Sequence, residues 1–197
     1  MYPDPLAVAE PAQEVEDDAT LIEQSGDDAS SFAAIFDRHA SAVHRYLARR
    51  AGAQIADDLT AETFLVALSR RGKFDPVHRT ALPWLYGIAT NLLRQHRRTE
   101  MRQYRALART GVDPVLIEGH ADAVSARVTA EAMTRDLAAA LARLSSGERD
   151  VLLLHAWAEL THDEIATGLG IAPTTVRTRL HRARTKIRNV LEEQSHE

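Results

Sequence analysis

The sequence has 197 residues, of which 45% are hydrophobic and 26% are charged, and this composition is typical of a globular protein with one or two domains. It contains no cysteine, which excludes disulfides and cysteine-based metal sites and agrees with a reducing cytoplasm. No apolar run is long enough to cross a bilayer, and the first 18 residues lack the features of a secretory signal. We therefore expect no membrane insertion.

Charge is distributed unevenly beneath a formal net charge of -4. Residues 1–30 hold nine acidic side chains and no lysine or arginine, whereas residues 31–110 hold 14 basic and 6 acidic side chains. Residues 172–188, APTTVRTRLHRARTKIR, hold six basic side chains and no acid. An acidic segment followed by basic ones indicates a polyanionic partner such as nucleic acid.

The predicted elements, taken in chain order, are all helical. Residues 1–24 are acidic, contain three prolines and lack periodicity, which predicts a disordered tail. Helices are expected from about residue 32, from about 57 to 71, and from 82 to 98 or further, with Pro83 in a first turn. One face of the first of these helices carries Phe32, Ile35, Phe36, His39, Val43 and Leu47.

A change of pattern at residues 110–136 predicts a linker, because this segment is weakly periodic and holds glycine, aspartate and proline. Residues 145–148 (SSGE) and 161–164 (THDE) each fit a capping box, which marks the start of a helix. We therefore predict an all-α fold with two small helical domains joined by a flexible linker. They are an N-terminal helical bundle over residues 25–109 and a C-terminal helix-turn-helix domain over residues 137–197.

The helix-turn-helix prediction rests on spacing. Ala166 is small enough for a second helix to cross closely, Gly170 lies where the turn needs a positive φ, and Pro173 suits the start of the second helix. On a helical wheel one apolar arc holds Val176, Leu180, Ala183, Ile187 and Val190. Outside it lie the predicted contacts with duplex DNA, Thr174, Arg177, Thr178, His181, Arg182 and Arg184. A solvated basic helix that only closes a bundle is the alternative, and the coincidence of cap, turn glycine and basic face favours DNA binding.

The helix that contains Trp84 also divides into two faces. Its apolar half consists of Trp84, Leu85, Ile88, Ala89, Leu92 and Leu93. Its polar half consists of Tyr86, Thr90, Asn91, Arg94, Arg97 and Arg98. An aromatic ring, an amide and three guanidiniums suit single-stranded nucleic acid, because cations follow the backbone and polar groups bind unpaired bases. For this helix alone, an amphipathic core helix with a solvated basic face explains the pattern better.

Together these motifs make the sequence resemble the extracytoplasmic-function sigma factors, the compact class of the bacterial sigma-70 family, over about residues 30–105 and 138–192. ADDLTAETFLVAL, residues 56–68, is similar to the family segment that docks on the clamp helices of the RNA polymerase β′ subunit. The family usually has glutamine where this sequence has Ala61. The resemblance implies polymerase contacts by Asp57, Asp58, Leu59, Glu62, Thr63 and Phe64, whereas taken alone the acids are better explained as local caps and pairs.

Residues 83–98 resemble the segment that captures and melts the minus-ten element, with Asn91 at the position that holds a flipped base of the non-template strand. The C-terminal helix pair resembles the domain that recognises the minus-thirty-five element, with His181 at a variable position. The resemblance implies a dissociable subunit of core RNA polymerase that contacts the β′ and β subunits and promoter DNA in the cytoplasm. It implies no catalysis, cofactor or metal in this chain, and an anti-sigma factor as a further partner.

Two other functions compete with this one. A conventional regulator that dimerises or senses a ligand explains the C-terminal helix pair but not the motif at residues 56–68. An enzyme is disfavoured because the sequence has no HExxH motif, metal-spaced cluster or phosphate-binding loop. His155, His162 and Asp163 come nearest to a metal site, and ordinary surface or cap residues explain them better.

Overall fold

Nine α-helices form the regular structure of the part of the chain that the computed structural model describes, residues 16–110 and 135–194. No strand occurs within these two ranges, and the prediction of an all-α protein is confirmed. A single 3-10 turn spans Arg71–Lys73. The helices are α1 (Asp18–Gln24), α2 (Ser31–Ala51), α3 (Ala53–Ser69), α4 (Leu82–Gln95), α5 (Arg97–Thr110), α6 (residues 135–143), α7 (Ser146–Trp157), α8 (His162–Leu169) and α9 (Pro173–Gln194).

The predicted tail is wrong at its C-terminal end, because residues 18–24 form α1 and belong to the fold. The side chain of Asp17 caps this helix by accepting a hydrogen bond from the amide of Thr20 at 3.0 Å. Leu21 and Ile22 are buried, and α1 packs against α2. A seven-residue helix gives too few turns for a detectable period, which explains the error. Residues 1–15 lie outside the described residues.

Helices α2, α3 and α4 form the body of the N-terminal domain. The expected apolar face of α2 is buried at five of its six positions, and Phe36 is the exception, with 45% of its surface exposed. Its ring packs edge-on against Phe64 of α3, with 4.9 Å between the ring centroids. The third predicted helix is two helices, because the chain leaves the helical conformation at His96, which separates α4 from α5.

The C-terminal domain begins its α7 and α8 at the two predicted capping boxes. In each, the hydroxyl of the first residue accepts from the backbone amide three residues on, and the glutamate there accepts from the first residue's amide. Helix α9 packs against both α7 and α8. Both helix starts are therefore confirmed.

The two domains pack against each other, which the sequence did not predict. One continuous cluster of buried apolar side chains extends through both, and α4 lies directly against α8. Residues 111–134, which hold most of the predicted linker, lie outside the described residues, and α6 already includes the last residues assigned to it. The domain boundaries themselves stay predictions.

Candidate nucleic-acid interface

The helix-turn-helix forms as the spacing predicts. Helix α8 ends at Gly170, whose φ of 63° and ψ of 40° lie in the left-handed region that glycine adopts without a steric cost. The Gly170 amide donates to the carbonyl oxygens of Ala166 and Thr167, which closes the last turn. Helix α9 then begins at Pro173, where a missing backbone N–H leaves no intrahelical bond unmade.

Helix α9 presents one buried and one exposed face. Val176, Leu180, Ala183 and Val190 are buried, and Ile187 is half-buried against the core. All six predicted DNA contacts are exposed, namely Thr174, Arg177, Thr178, His181, Arg182 and Arg184. The exposed face therefore offers guanidinium, hydroxyl and imidazole groups of the kind that bind phosphates and base edges in a major groove.

Two further cations on α9 serve the fold instead. Lys186 donates to Glu148 at 2.8 Å, and Glu148 is the acid of the α7 capping box. Burial raises the pKa of Glu148, but hydrogen bonds from Lys186 and Ser145 outweigh it and hold that pKa below its ordinary value. The guanidinium of Arg179 lies over Gly147 at the start of α7. Of the six basic side chains in residues 172–188, Lys186 and Arg179 therefore contact α7 and contribute less positive charge to DNA binding.

The predicted minus-ten face of α4 is divided by the packing of the domains. Asn91 and Arg94 are exposed, and the Nη1 of Arg94 donates to Oδ1 of Asn91 at 2.9 Å. Tyr86 and Thr90 are buried, contrary to the exposed position that the helical wheel predicts. The Thr90 hydroxyl hydrogen-bonds with that of Tyr46 at 2.9 Å. The wheel failed because α2 and the C-terminal domain cover this side of α4. The side chains of Arg97 and Arg98 lie outside the described residues.

A buried ionic cluster lies where the two domains meet. Asp150 of α7 is fully buried, and its carboxylate accepts from Arg50 at 2.6 Å and from Arg94 at 3.0 Å. Burial raises the pKa of the neighbouring Tyr46 to about 12, while the positive charge of Arg50 opposes that rise. Burying an ion pair costs free energy unless its polar atoms are hydrogen-bonded. The Asp150 carboxylate accepts a hydrogen bond from each of the two arginines. Sequence reasoning missed the cluster, since Arg50 and Arg94 lie 100 and 56 residues from Asp150 along the chain.

The predicted polymerase-docking helix α3 also divides between surface and core. Asp57, Asp58 and Glu62 are exposed, and Asp57 hydrogen-bonds with His44 at 2.9 Å. The other three predicted contacts, Leu59, Thr63 and Phe64, are buried within the domain, so their contact with a partner stays a prediction. Beside the acids, 67% of the surface of Leu65 is exposed. Sequence reasoning did not single out Leu65, because it lies within the apolar run at residues 64–68. Only its position on the helical wheel, opposite the buried face of α3, distinguishes it from the core residues of that run.

Within the described ranges, no three histidine or acidic side chains are grouped as a metal ion would require. The rings of His155 and His162 lie 5.6 Å apart, and Nδ1 of His155 is 3.0 Å from the carbonyl oxygen of Leu160. Within residues 16–110 and 135–194, no helix is long and apolar enough to cross a membrane.

The fold and the site together define a helical, two-domain DNA-binding protein with a helix-turn-helix at its C-terminal end. Comparison of the sequence with protein families supports a more specific assignment. Residues 35–103 match Sigma-70 region 2, and residues 134–187 match Sigma-70 region 4. These two matches together cover more than half of the chain.

Similar proteins agree with the family matches. The ECF RNA polymerase sigma factor SigL of Mycobacterium tuberculosis is 33% identical over 168 residues, which are 84% of this chain and 92% of that protein. The RNA polymerase sigma factor CarQ of Myxococcus xanthus is 32% identical over 168 residues, covering 83% of this chain and 90% of that protein. The chain belongs to the extracytoplasmic-function sigma factors of the sigma-70 family. It is therefore a promoter-specific transcription initiation factor that acts with RNA polymerase.

Two solved structures share the fold. The complex of CnrH with the cytosolic domain of CnrY matches with a TM-score of 0.59 and 23% identity, covering 89% of this chain and 97% of that one. The complex of the sigma factor RpoE with the anti-sigma factor NepR from Bartonella quintana matches with a TM-score of 0.56 and 20% identity, covering 82% and 96%.

Proposed function

We propose that α9 recognises the upstream, minus-thirty-five promoter element by entering the major groove of duplex DNA. The observation that carries this proposal is the division of α9, in which all six predicted contacts are exposed while its apolar arc is packed in the domain. Arginine binds guanine bidentately, and threonine contacts bases or phosphates, so this face has both specific and nonspecific contacts to offer.

Helix α4 is the second DNA contact of the proposal. Asn91 holds a flipped base of the non-template strand at the minus-ten element, and Arg94, Arg97 and Arg98 follow the backbone of that strand. The exposure of Asn91 and Arg94 supports this assignment. Tyr86 and Thr90 are both buried and hydrogen-bond with α2, so they contact this strand only after α4 is uncovered. Opening of the duplex follows from capture of the unpaired strand.

Helix α3 is the proposed docking site for the clamp helices of the β′ subunit. Its exposed acids Asp57, Asp58 and Glu62 supply charge, and the neighbouring Leu65 supplies an apolar contact at the same surface. Leu59, Thr63 and Phe64 support this surface from within the core. We also propose that the β subunit binds the chain, which places both domains on polymerase.

The remaining proposals concern partners and chemistry. Two proteins with this fold are described in complex with the cytosolic domain of CnrY and with the anti-sigma factor NepR, and we propose that this chain has an anti-sigma partner of that general class. The family consists of non-catalytic transcription regulators, so we propose that the chain itself is not an enzyme and takes no cofactor. Its place of action is the cytoplasm, where RNA polymerase works.

Run-off transcription with sigma-free core polymerase on genomic fragments tests the proposed function. The full chain should produce discrete starts that share two spaced upstream elements, and these starts define the promoter for later assays. On that promoter, Arg177→Ala should lower transcription about tenfold or more, because a bidentate arginine contact contributes about 1–3 kcal/mol. The exposed Arg143→Ala is the matched control, since Arg143 pairs with Glu193 and is not among the six predicted DNA contacts.

The minus-ten assignment has its own variant in the same assay. Asn91→Ala should reduce open-complex formation on duplex promoters and lose less activity on a template whose minus-ten region is already unpaired. Gln95→Ala, an exposed amide one turn further along α4, is the control and should transcribe like the parent chain. If the free protein instead binds a palindromic duplex tightly and produces no starts with core polymerase, the chain is a conventional regulator.

A further inference from the structure

A cavity of about 360 Å³ is bounded by α2, α4 and the C-terminal end of α7. Cavities that hold small molecules measure about 300–1,000 Å³, so this one is large enough for a ligand of nucleotide size. The side chains that carry its chemistry are Arg45 and Arg49 of α2, Tyr86 of α4, Trp157 at the end of α7, and Glu159. Apart from Tyr86, none of these residues belongs to the predicted DNA or polymerase contacts.

The α2 wall of the cavity is positively charged. Arg45 and Arg49 lie one helical turn apart, so they share a face of α2. Within the described part of the chain, no carboxylate pairs with either guanidinium. The charge of Arg45 also acts on Tyr86, where it opposes the rise in pKa that burial causes. Two unpaired guanidiniums beside a phenol hydroxyl are donors of the kind that bind a phosphate group.

The opposite wall supplies a flat surface and hydrogen-bond acceptors. The guanidinium of Arg49 lies over the ring of Trp157, 5.7 Å from its centroid, and a nucleobase can extend such a stack. Trp157 ends α7, and the carbonyl groups of a last helical turn have no intrahelical donors. The carboxylate of Glu159 adds further acceptors. These acceptors suit the amine group of a nucleobase.

Glu159 has an unusual backbone conformation at the edge of this cavity. Its φ of 55° is the one positive φ of a non-glycine residue among those that the structure describes. A side chain in the left-handed region carries a steric cost, and such residues are concentrated at ligand sites. The strained position therefore agrees with a binding role for this wall.

We propose that the cavity binds a nucleotide, with its phosphates on Arg45 and Arg49 and its base on the wall formed by Trp157 and Glu159. An inorganic phosphate satisfies only the arginines, and a nucleoside satisfies only the opposite wall. The lining therefore favours a ligand that carries both groups. Because the walls come from both domains, the bound nucleotide stabilises the folded chain.

Equilibrium dialysis of the full chain against radiolabelled ADP, without divalent cations, tests the site directly. ADP should bind saturably, with one molecule per chain, and should raise the Tm. Unlabelled pyrophosphate and unlabelled adenosine should each compete about tenfold more weakly than ADP, because each makes only part of the contacts.

Substitutions on the two walls should have different effects. Arg45→Ala and Arg49→Ala each remove a charged donor and should weaken ADP binding about tenfold. Arg70→Ala is the matched control, since Arg70 is an exposed arginine that follows α3 and does not line the cavity. Glu159→Gly keeps a positive φ without steric cost and removes the carboxylate. The preference for ADP over pyrophosphate should shrink in this variant, because a base contact is lost and the repulsion of pyrophosphate is relieved.

The outcomes separate this site from the DNA-binding proposals. ADP that does not saturate, or that binds Arg45→Ala as tightly as the parent, overturns the site. Arg45 is exposed, so this variant decides the question even if loss of the contact between Arg49 and Trp157 disturbs the fold. Pyrophosphate that competes as well as ADP overturns the assignment of a nucleotide. If ADP fails to bind while Arg45→Ala weakens binding of a mixed-sequence single strand, the cavity proposal falls and the arginine belongs to the DNA path. If ADP binds as expected while Asn91→Ala transcribes normally, the site stands and the minus-ten assignment fails.

Discussion

At the scale of single residues, one buried carboxylate ties the start of the described chain to the N-terminal domain. Asp18 is 2% exposed and accepts hydrogen bonds from His39 at 2.6 Å, from the amide of Ala81 at 2.7 Å, and from Arg38. Burial by itself raises the pKa of a carboxyl group, but the bonds from His39 and Ala81 and the charge of His39 outweigh it. The pKa of Asp18 falls to about 2 from an ordinary value of 3.8.

This lowered pKa makes stability depend on acid pH. Since the pKa is lower in the folded chain than in the unfolded chain, the contribution of Asp18 is present above about pH 4 and is lost as the pH falls through about 2. Asp18→Asn should lower the free energy of unfolding by about 2 kcal/mol at neutral pH and flatten its acid dependence. Urea unfolding at a series of pH values measures both effects. The exposed Asp27→Asn should stay within about 0.5 kcal/mol of the parent, and an Asp18→Asn chain as acid-sensitive as the parent contradicts the argument.

At the scale of elements, the orientation of α8 depends on a short local motif. The backbone amide of Thr161 donates to the Glu164 carboxylate at 2.7 Å, and the Glu164 amide donates to the Thr161 hydroxyl at 3.3 Å. Thr161→Ala removes the second bond and should cost about 1 kcal/mol of stability, since an orphan amide remains at the helix start. In a chain of this size that corresponds to a fall in Tm of about 2–4 °C. Thr161→Ser keeps the hydroxyl and should melt like the parent; equal loss in both variants would show that the methyl group, not the cap, matters.

Elements that depend on neighbouring residues could be predicted from the sequence, and contacts between distant elements could not. The start of α8, the turn at Gly170 and the exposed face of α9 follow from neighbours within a few residues, and each was predicted correctly. The burial of Thr90 could not be predicted, because what covers it comes from α2 and from a domain that lies far along the chain. A helical wheel assigns a buried face and an exposed face to each helix. The assignment fails where a second domain packs against the face that is predicted to be exposed. The docking helix α3 shows the milder form of this error, since its motif mixes exposed acids with core residues.

At the scale of the whole molecule, the pKa of Tyr46 depends on how the two domains are arranged. Tyr46 is almost fully buried beside Arg50 and Asp150, and burial raises its pKa to about 12. The ring of Tyr86 packs edge-on against it, with 5.1 Å between centroids. Since the folded pKa lies above the ordinary value of 10.0, the stability that Tyr46 contributes is present below about pH 10 and is lost as the pH rises through about 12. The free energy of unfolding should therefore decline over that interval.

Opening the domains should lower this pKa toward its ordinary value, because water then reaches the Tyr46 hydroxyl and the carboxylate of Asp150 moves away. Gly168→Ala should open the domains, because a Cβ atom added to Gly168 of α8 would lie 2.4 Å from the carbonyl oxygen of Pro83 of α4, whereas one added to Gly72 meets nothing within 4 Å. Phenolate absorbance at about pH 11 should thus report more ionised tyrosine in Gly168→Ala than in the parent or in Gly72→Ala. Tyr46→Phe in each background assigns the difference to this residue, because the extra absorbance must disappear with the hydroxyl. The measurement needs neither DNA nor polymerase, so it tests the closed arrangement alone. If Tyr46 titrates identically in Gly168→Ala and in the parent, its burial arises within the N-terminal domain, and the C-terminal domain does not provide its cover.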